Sequence, residues 1–437
     1  MSDNYILIIK NGSCYVNGKL TKTDIGLSGN KIKKVGNIEL NSSKVYDATN
    51  KVVLPGIIDT QVHFREPGAT DAEDLERGSR AAVLGGVTSL FEMPNTNPPT
   101  ANLVEFEKKL QAAKNRMHSN YAFYFGATAN NTDQLAKLKN VEGCCGVKLF
   151  AGSSTGNLLV DKESDIEKVI SSSDRIVSIH SEDEEIIKLR KKFIKKGDVH
   201  SHPEWRNVEC AISSTRRVVK IAERYNKKIH VLHVTTKDEV DFLAMHKKNV
   251  TFETTPQHLT LYAPDCYDKL GTYAQMNPPL RSKEHYDRLW VAIKNNIVDV
   301  LGSDHAPHLR VNKEKTYPET PSGMPGVQTI FPVMIDHVNN GKLTLNQLIN
   351  LMCENPCRIF GIKNKGFIKE GFDADLTIVD MNKEVVIKNE MIASKCGWTP
   401  FHNYKVKGFP VGTIVNGILV MSEGKVVSKA LGKPLEF

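Results

Sequence analysis

Residues 297–308 read Ile-Val-Asp-Val-Leu-Gly-Ser-Asp-His-Ala-Pro-His, a largely apolar run followed at once by charged and polar side chains. The run 297–301 has the pattern of a buried strand. A carboxylate and two imidazoles directly behind such a strand are unusual in a structural core, because buried charge is costly unless it is paired or bound to metal. Asp304 and His308 are therefore the first candidates for catalytic chemistry.

The same pairing of a short apolar strand with a following helix recurs along the middle of the chain. Strands are predicted at 56–59, 88–92, 120–125, 146–150, 176–180, 228–233, 250–253 and 298–303. Helices are predicted at 75–84, 104–116, 165–171, 208–225, 236–247, 283–295 and 344–353. Eight strand–helix units over about 300 residues indicate an α/β fold, a (β/α)8 barrel of the TIM type. A doubly wound open sheet is the alternative.

Both ends of the chain instead alternate short strand-like runs with turns. Hairpin signals occur at Asn11-Gly12, Asn17-Gly18, Asn416-Gly417 and Glu423-Gly424. Because short terminal strands cannot bury both faces alone, we expect the two ends to form one small β-sandwich domain. The predicted division is 1–55 with 367–437 for this split domain and 56–366 for the catalytic barrel.

Composition and charge argue against a membrane protein, a secreted protein and a nucleic-acid-binding protein. No apolar run approaches the roughly 20 residues of a membrane span, and the first residues lack the basic region of a secretory signal. The net charge is +8, yet no aromatic residues alternate with the lysines, so nucleic-acid binding is not expected. The eight cysteines form no disulfide framework. We expect reduced, mostly buried thiols and a cytoplasmic location.

Polar residues end one predicted strand after another. In a (β/α)8 barrel these ends form the active-site face. The residues are Gln61, His63 and Arg65 after the first strand, Glu92 and Asn95 after the second, Lys148 in the fourth, and then His180, His233 and Asp304. A lone histidine there is more often structural, and Lys148 alone could be an amphipathic core lysine. Three histidines with one aspartate fit hydrolytic zinc, which favours nitrogen and oxygen ligands.

Other histidines have simpler interpretations. His230 lies three residues from His233 on one strand, so it is expected to face away and to be structural. His200 and His202 lie in a polar stretch and are expected at the surface. His305 is expected to be structural as well.

The motifs resemble those of the amidohydrolase superfamily and, within it, the type I dihydroorotases. The matching stretches are Asp59-Thr-Gln-Val-His-Phe-Arg-Glu-Pro-Gly68, Met93-Pro-Asn-Thr96, Gly146-Val-Lys-Leu-Phe150, Ile179-His-Ser-Glu182, Leu232-His-Val234, Met276-Asn-Pro-Pro-Leu-Arg281 and Ser303-Asp-His-Ala-Pro-His308. Allantoinases and dihydropyrimidinases share the metal framework of the superfamily. The runs after His63, from Asn277 and from Asp304 favour dihydroorotase over them.

The resemblance implies two zinc ions bridged by a carboxylated Lys148. One ion would use His63, the lysine carbamate and Asp304, and the other would use the carbamate, His180 and His233. Asp304 would act as general base and then as general acid. The implied reaction is the reversible interconversion of (S)-dihydroorotate and N-carbamoyl-L-aspartate, a step of de novo pyrimidine (UMP) biosynthesis.

The resemblance also implies how the substrate is bound. Arg65, Asn95 and His308 would hold its carboxylate, which suits the bidentate geometry of arginine, and Asn277 would contact the ring. Backbone groups at Ser322 and Gly323, in the loop 320–326, would meet the amide edge of the ring. The alternative for this loop is a plain connector. A homodimer is expected, and association with aspartate transcarbamoylase is a further implied partnership.

One position departs from the family pattern. The first strand of the family usually ends in His-X-His, and here Gln61 replaces the first histidine. An amide oxygen is a weaker zinc ligand than imidazole, so one or two zinc ions per chain are expected. Either Gln61 ligates weakly and catalysis persists, or the chain is a one-metal enzyme. A non-catalytic, dihydroorotase-like subunit of an aspartate transcarbamoylase assembly is the remaining alternative, as is another cyclic amidohydrolase such as an allantoinase or hydantoinase.

Overall fold

The computed structural model describes residues 5–39, 44–153 and 158–437. Five strands come first: β1 (Leu7–Val16), β2 (Lys19–Ser28), β3 (Lys31–Gly36), β4 (Lys44–Asp47) and β5 (Val52–Pro55). Eight strands of the middle region follow: β6 (Ile57–Val62), β7 (Val87–Glu92), β8 (Asn120–Gly126), β9 (Cys144–Phe150), β10 (Val177–His180), β11 (Ile229–Val231), β12 (Val250–Thr254) and β13 (Val300–Leu301). The chain ends with β14 (Leu376–Val386), β15 (Lys405–Val415), β16 (Ile418–Ser422) and β17 (Lys425–Val426).

The helices lie mainly between the middle strands. They are α1 (Leu75–Leu84), α2 (Leu103–Ala113), α3 (Thr132–Leu135), α4 (Glu163–Ser172), α5 (Glu184–Arg190), α6 (His202–Trp205), α7 (Val208–Arg224), α8 (Lys237–Ala244), α9 (Pro256–Thr260), α10 (Asp265–Leu270), α11 (Lys283–Lys294), α12 (Arg310–Lys313), α13 (Ile330–Asn339), α14 (Leu345–Ile349) and α15 (Asn355–Phe360). A π-helical turn, Asn350–Glu354, joins the last two. Local sequence fixes several starts: Asp74 caps α1, and Thr236 with Glu239 forms a capping box on α8.

Strands β6 to β13 form one parallel sheet in which every strand pairs with its neighbours in the sequence. The first and last strands meet just beyond their ends. His63 N donates to His305 O at 2.7 Å, and His305 N donates to Gln61 O at 3.3 Å. These bonds close the sheet into a (β/α)8 barrel, so the predicted fold class is confirmed and the open sheet is excluded.

The remaining strands, from both ends of the chain, form a second, mostly antiparallel sheet in the order β17-β16-β15-β14-β5-β1-β2-β3, with β4 paired to β1. The predicted joining of the two ends is therefore confirmed. The Asn11-Gly12 hairpin prediction is wrong, because β1 runs straight through it with a register shift between Ile9 and Gly12. Asn11 has a φ of 63°, and this left-handed conformation serves a bulge as readily as a turn.

The period of two along the barrel strands decides which side chains enter the barrel. Val147 and Leu149 of β9 belong to the large core cluster that also contains residues of α1, α4, α7 and α11. Lys148 lies between them and therefore points into the barrel. By the same alternation Val177 and Ile179 of β10 pack outward, which leaves His180 on the inner side.

Two further sequence predictions concern the cysteines and membrane-spanning helices. All eight cysteines are free and buried, as expected from their number and spacing. Among the described residues, none of the helices has both the length and the apolar character that a membrane span requires.

Candidate active site

The sequence-predicted site residues meet at the carboxyl-terminal face of the barrel. One cavity there is lined by Gln61, His63, Arg65, Asn95, Lys148, Phe150, His180, His233, Asn277, Asp304, Ala306, Ser322 and Gly323. A second cavity further out shares Arg65 and Asn95 and adds His308. The barrel therefore brings together every residue that the sequence singled out for metal or substrate binding.

His63 and Asp304 form the first pair of polar groups in the inner cavity. His63 Nε2 lies 3.2 Å from Asp304 Oδ1, and His63 Nδ1 lies 2.7 Å from Asn95 Oδ1. An amide oxygen accepts, so Nδ1 carries the proton and Nε2 presents its lone pair to the carboxylate. Burial first, and then Arg65, lowers the pKa of His63 well below its usual value. Two acceptors thus face each other in a buried site, which favours a cation at this point.

His180 and His233 form the second pair. His180 Nδ1 lies 3.1 Å from His233 Nε2, and His180 Nε2 donates to Glu182 Oε2 at 2.8 Å. Because Nε2 carries the proton, Nδ1 again offers a lone pair toward the cavity. Glu182 is fully buried and also accepts hydrogen bonds from Arg206. Against the opposing effect of burial, Arg206 and the His180 bond lower the pKa of Glu182, so the carboxylate stays ionised.

Lys148 lies in the barrel and is only 1% exposed. Its Nζ is 4.4 Å from the centroid of the Phe150 ring. Burial lowers the pKa of Lys148, although Asp304 and Glu253 oppose the shift. Burial also raises the pKa of Asp304. The amine is therefore more readily neutral, and the carboxyl group more basic, than either would be in water.

Three of these residues have left-handed backbone conformations that non-glycine residues rarely adopt. The φ angles are 59° at Arg65, 37° at His233 and 44° at Asp304. Such conformations persist only where the surrounding structure imposes them, and they concentrate at functional sites. Here each one turns a strand-end side chain toward the cavity.

Arg65 and His308 form a corner of the site, and Arg65 also lines the inner cavity. Arg65 Nε donates to Pro307 O at 3.2 Å, and Arg65 Nη2 lies 3.3 Å from His308 Nε2. His308 Nε2 is also 3.0 Å from Ser322 O. Burial lowers the pKa of Arg65 to about 10, so the guanidinium stays charged at neutral pH. A substrate carboxylate would find a fixed cation here.

The loop 320–326 packs against the corner of the site that Arg65 and His308 form, and against the strand-end segment 304–308. Ala306 N donates to Met324 O at 2.8 Å, and Gly323 N donates to Gln275 O at 3.0 Å. Gly323 has a φ of 144°, and a Cβ there would lie 2.6 Å from Ala306 O. The loop lines the inner cavity through Ser322 and Gly323, so it is more than a plain connector.

Three of the other histidine predictions can be compared with the structure. His230 pairs with Thr251 and Glu253, and His305 Nδ1 accepts from Gly326 N, so both are structural as expected. The expectation that His230 faces away is wrong, because Ile229 and Val231 pack outward and leave His230 inside the barrel. The surface prediction for His202 is wrong. Its side chain is fully buried, with Nε2 at 3.0 Å from Asn277 Oδ1 and 3.1 Å from Met276 O. The polar segment around His202 lies against Asn277, which is 75 residues further along the chain. Local polarity does not reveal such a long-range contact.

The separations between the candidate ligands fit those of a tetrahedral zinc site. No three His, Cys, Asp or Glu side chains of the described chain form a ready-made metal cluster. The candidate ligands come instead as the two pairs above, with separations of 3.2 Å and 3.1 Å. Two donors on one tetrahedral zinc, each about 2.0–2.1 Å from it, lie about 3.3 Å apart. Each pair therefore fits one edge of a zinc coordination sphere, and a ligand from Lys148 would have to join them.

Comparison with known families identifies the scaffold. The model of the amidohydrolase family matches residues 52–420. The chain belongs to the amidohydrolase family. The family membership predicted from the strand-end motifs is thereby confirmed.

This amidohydrolase is also similar to proteins named dihydroorotase over nearly its whole length. The dihydroorotase of Pyrococcus furiosus is 36% identical over 429 residues, which covers 98% of this chain and 95% of that protein. The dihydroorotase of Methanosarcina acetivorans is 34% identical over 438 residues, which covers 96% and 93%. The resemblance to dihydroorotases predicted from the motifs is thus confirmed, and the chain is a hydrolase of cyclic amides.

Among solved structures, the amidohydrolase is similar to an L-hydantoinase (dihydropyrimidinase) from Arthrobacter aurescens. The TM-score is 0.94 at 28% identity, covering 99% of this chain and 100% of that chain. A dihydropyrimidinase from Brevibacillus agri has a TM-score of 0.90 at 25% identity, covering 97% and 96%. The barrel and the second sheet are therefore those of cyclic-amide hydrolases.

Proposed function

We propose that this amidohydrolase is a dihydroorotase, which interconverts (S)-dihydroorotate and N-carbamoyl-L-aspartate in pyrimidine (UMP) biosynthesis. The observation that carries the proposal is the convergence of two kinds of group in one cavity. The two metal-ligand pairs and Arg65, which suits a carboxylate, line the same cavity. Similarity to archaeal dihydroorotases over nearly the full chain supports the same substrate.

The proposed cofactor is zinc, at one or two ions per chain. His63 and Asp304 would hold one ion, and His180 and His233 would hold the other. Bound zinc lowers the pKa of a coordinated water and polarises a carbonyl oxygen. Since the described ligands come as two separate pairs, an anionic group on Lys148 would complete both coordination spheres.

We propose that Lys148 supplies this group as a carbamate. Its neutral amine would attack carbon dioxide, forming an N–C bond and releasing one proton to water. Burial lowers the pKa of Lys148 and so favours the neutral amine that reacts. A protonated ammonium cannot ligate a cation, whereas a carbamate offers two oxygens.

The protein's own groups would move the proton and hold the substrate. Asp304, whose pKa burial raises, would accept a proton from the attacking water and pass it to the leaving ring nitrogen. Arg65, Asn95 and His308 would bind the carboxylate of the substrate. Asn277 would contact the ring, and the backbone at 322–323 would meet its amide edge. In the biosynthetic direction the same groups act in reverse order.

The test is turnover by the purified protein. With zinc and bicarbonate supplied, it should convert dihydroorotate to carbamoyl-aspartate and the reverse, and Asp304→Asn should lose about 10²–10⁴-fold of this activity. Gel filtration of the same sample tests the proposed homodimer. Absence of turnover in both directions would contradict the proposed function.

Two other functions each have an observation in their favour. The structural similarity to hydantoinases favours a hydantoinase or allantoinase, for which turnover of hydantoin or allantoin would exceed that of dihydroorotate. Gln61 at a ligand position favours a non-catalytic subunit, which would co-purify with aspartate transcarbamoylase and show no hydrolase activity. The free, buried thiols fit the reducing cytoplasm in which we place all three candidates.

A further inference from the structure

Lys313, at the end of α12, is a buried cation without a carboxylate partner. Its exposure is 0%, and none of the ion pairs within residues 5–39, 44–153 and 158–437 includes it. Its Nζ donates to two carbonyl oxygens instead, Gln275 O at 3.1 Å and Pro321 O at 2.9 Å. Burial lowers the pKa of Lys313 to about 7, with no acidic group opposing the shift. A buried, unpaired lysine is costly to stability and calls for another source of compensation.

The other buried lysines of the described chain all have acids nearby. Lys109 pairs with Glu92, and Lys365 pairs with Asp375. Lys148 is under the electrostatic influence of Asp304. Lys313 is therefore the exception: no described acid stabilises its charged form, and its pKa of about 7 leaves the amine only partly protonated at neutral pH.

The hydrogen bonds of Lys313 hold the loop over the active site. Pro321 precedes the two cavity-lining residues of that loop, and Gln275 O accepts from Gly323 N as well as from Lys313. The Gln275 side chain donates to Thr320 O at 3.1 Å and to Ser322 Oγ at 3.0 Å. The ammonium group thus lies at the point where the loop is tied to the segment that carries Asn277.

The same cation lies behind the corner that Arg65 and His308 form. Lys313 Nζ is 5.8 Å from the centroid of the Trp398 ring, and Trp398 Nε1 donates to His308 O at 2.8 Å. His308 Nε2 lies 3.0 Å from Ser322 O, in the loop held by Lys313. After burial, Arg65 and Lys313 are the largest causes that lower the pKa of His308. Positive charge from two residues therefore converges on this corner.

We propose that Lys313 is a positioning residue that selects carboxylate-bearing ring substrates over neutral cyclic amides. It holds the loop 320–326 against the cavity, and an anion bound at the corner favours its protonated form, so that carboxylate binding and the charge of Lys313 support each other without contact. This inference rests on the proposed function and assigns the substrate class of the same site. The carboxylate of the bound substrate supplies the compensating charge that the chain lacks.

The test compares two rings that differ only in the carboxylate, dihydroorotate and dihydrouracil. Lys313→Gln keeps N–H donors for the two carbonyls and removes the charge, and Lys313→Met removes both. We expect each variant to raise the KM of dihydroorotate about tenfold or more in the turnover assay of the zinc-loaded protein. The inhibition constant of dihydrouracil against that turnover should change less than about twofold in Lys313→Gln.

The control is Lys315→Met, which removes an exposed lysine two residues along and should change neither the KM of dihydroorotate nor the inhibition constant of dihydrouracil. An equal loss of affinity for dihydroorotate and for dihydrouracil in Lys313→Gln would show that Lys313 only supports the loop, and this result would overturn the proposal. Unchanged affinity for dihydroorotate would overturn it as well. Circular dichroism establishes that each variant is folded, and Lys313→Gln remains informative where Lys313→Met does not fold. The proposed function fails separately, through absence of dihydroorotate turnover by the unmodified protein.

Discussion

Gln61 Nε2 donates a 2.9 Å hydrogen bond to Asp304 Oδ1. The amide of Gln61 thus holds the proposed proton carrier from the position at which the family pattern implied by the sequence motifs has a histidine. Its oxygen, Oε1, is buried and accepts no hydrogen bond from any described residue. A neutral amide oxygen, which is a weak zinc ligand, therefore lies near the pair formed by His63 and Asp304, in place of an imidazole nitrogen.

We expect Gln61→His to raise zinc occupancy, because imidazole nitrogen is a better zinc ligand than an amide oxygen. Elemental analysis after dialysis against a chelator series measures this directly. The unmodified protein should retain between one and two zinc ions per chain and should lose the more weakly held ion first. Two tightly held ions in the unmodified protein would contradict the prediction.

Glu182 fixes the ring of His180, so its replacement should weaken zinc binding. In Glu182→Gln the amide cannot accept from both His180 and Arg206 as the carboxylate does, and the orientation of the ring is lost. We expect the affinity for zinc to fall about 10–100-fold, measured by competition with a coloured chelator.

Glu167→Gln provides the control for this experiment. Glu167 also accepts from an arginine, Arg224, but it lies at the surface on α4. Its replacement should leave the zinc affinity unchanged. Equal affinities in Glu182→Gln and in the unmodified protein would show that Glu182 does not orient His180.

Gly323→Ala should damage substrate binding more than stability. The new Cβ would lie 2.6 Å from Ala306 O at a φ of 144°, so the loop must move away from the cavity. We expect KM for dihydroorotate to rise about tenfold, a change of about 1.4 kcal/mol in binding. Gly341→Ala is the matched control, since Gly341 also has a positive φ but no atom lies within 4 Å of its Cβ position. A similar rise in KM for both variants would count against the crowding argument.

Lys109→Met should destabilise the fold strongly. Lys109 and Glu92 form a pair in which both side chains are almost fully buried, and removal of the lysine leaves Glu92 without its partner. The expected loss is about 3–5 kcal/mol in the free energy of unfolding, measured by urea denaturation. Lys108→Met, on the same helix, removes a pair whose lysine is 67% exposed and should cost less than about 1 kcal/mol. A cost for Lys109→Met no larger than that of its neighbour would refute the prediction.

The barrel and the candidate ligands could be predicted from sequence because their signals are local. Apolar runs mark the strands, and the polar residue that ends each run marks the active-site face, so His180 and Asp304 could be found without the fold. The burial of Lys313 and His202 could not, since it depends on contacts with Gln275 and Asn277, which lie 38 and 75 residues away in the chain. Nothing in the segments around them distinguishes a buried side chain from a surface one.

The Asn11-Gly12 error has a related cause. The dipeptide specifies a left-handed residue, and that conformation suits either a turn or a bulge. Pairing with Thr23 on the next strand decides between them, and that pairing is set by the sheet as a whole.

The two backbone hydrogen bonds that close the barrel also tie His305 to His63 and to Gln61, so that they bridge more than 240 residues of chain (305 − 63 = 242). One ligand pair is therefore divided between the earliest and the latest strand of the barrel. A growing polypeptide that has not yet reached this seam carries half of that pair and cannot hold an ion there. Zinc uptake at His63 and Asp304 would thus report that barrel closure is complete.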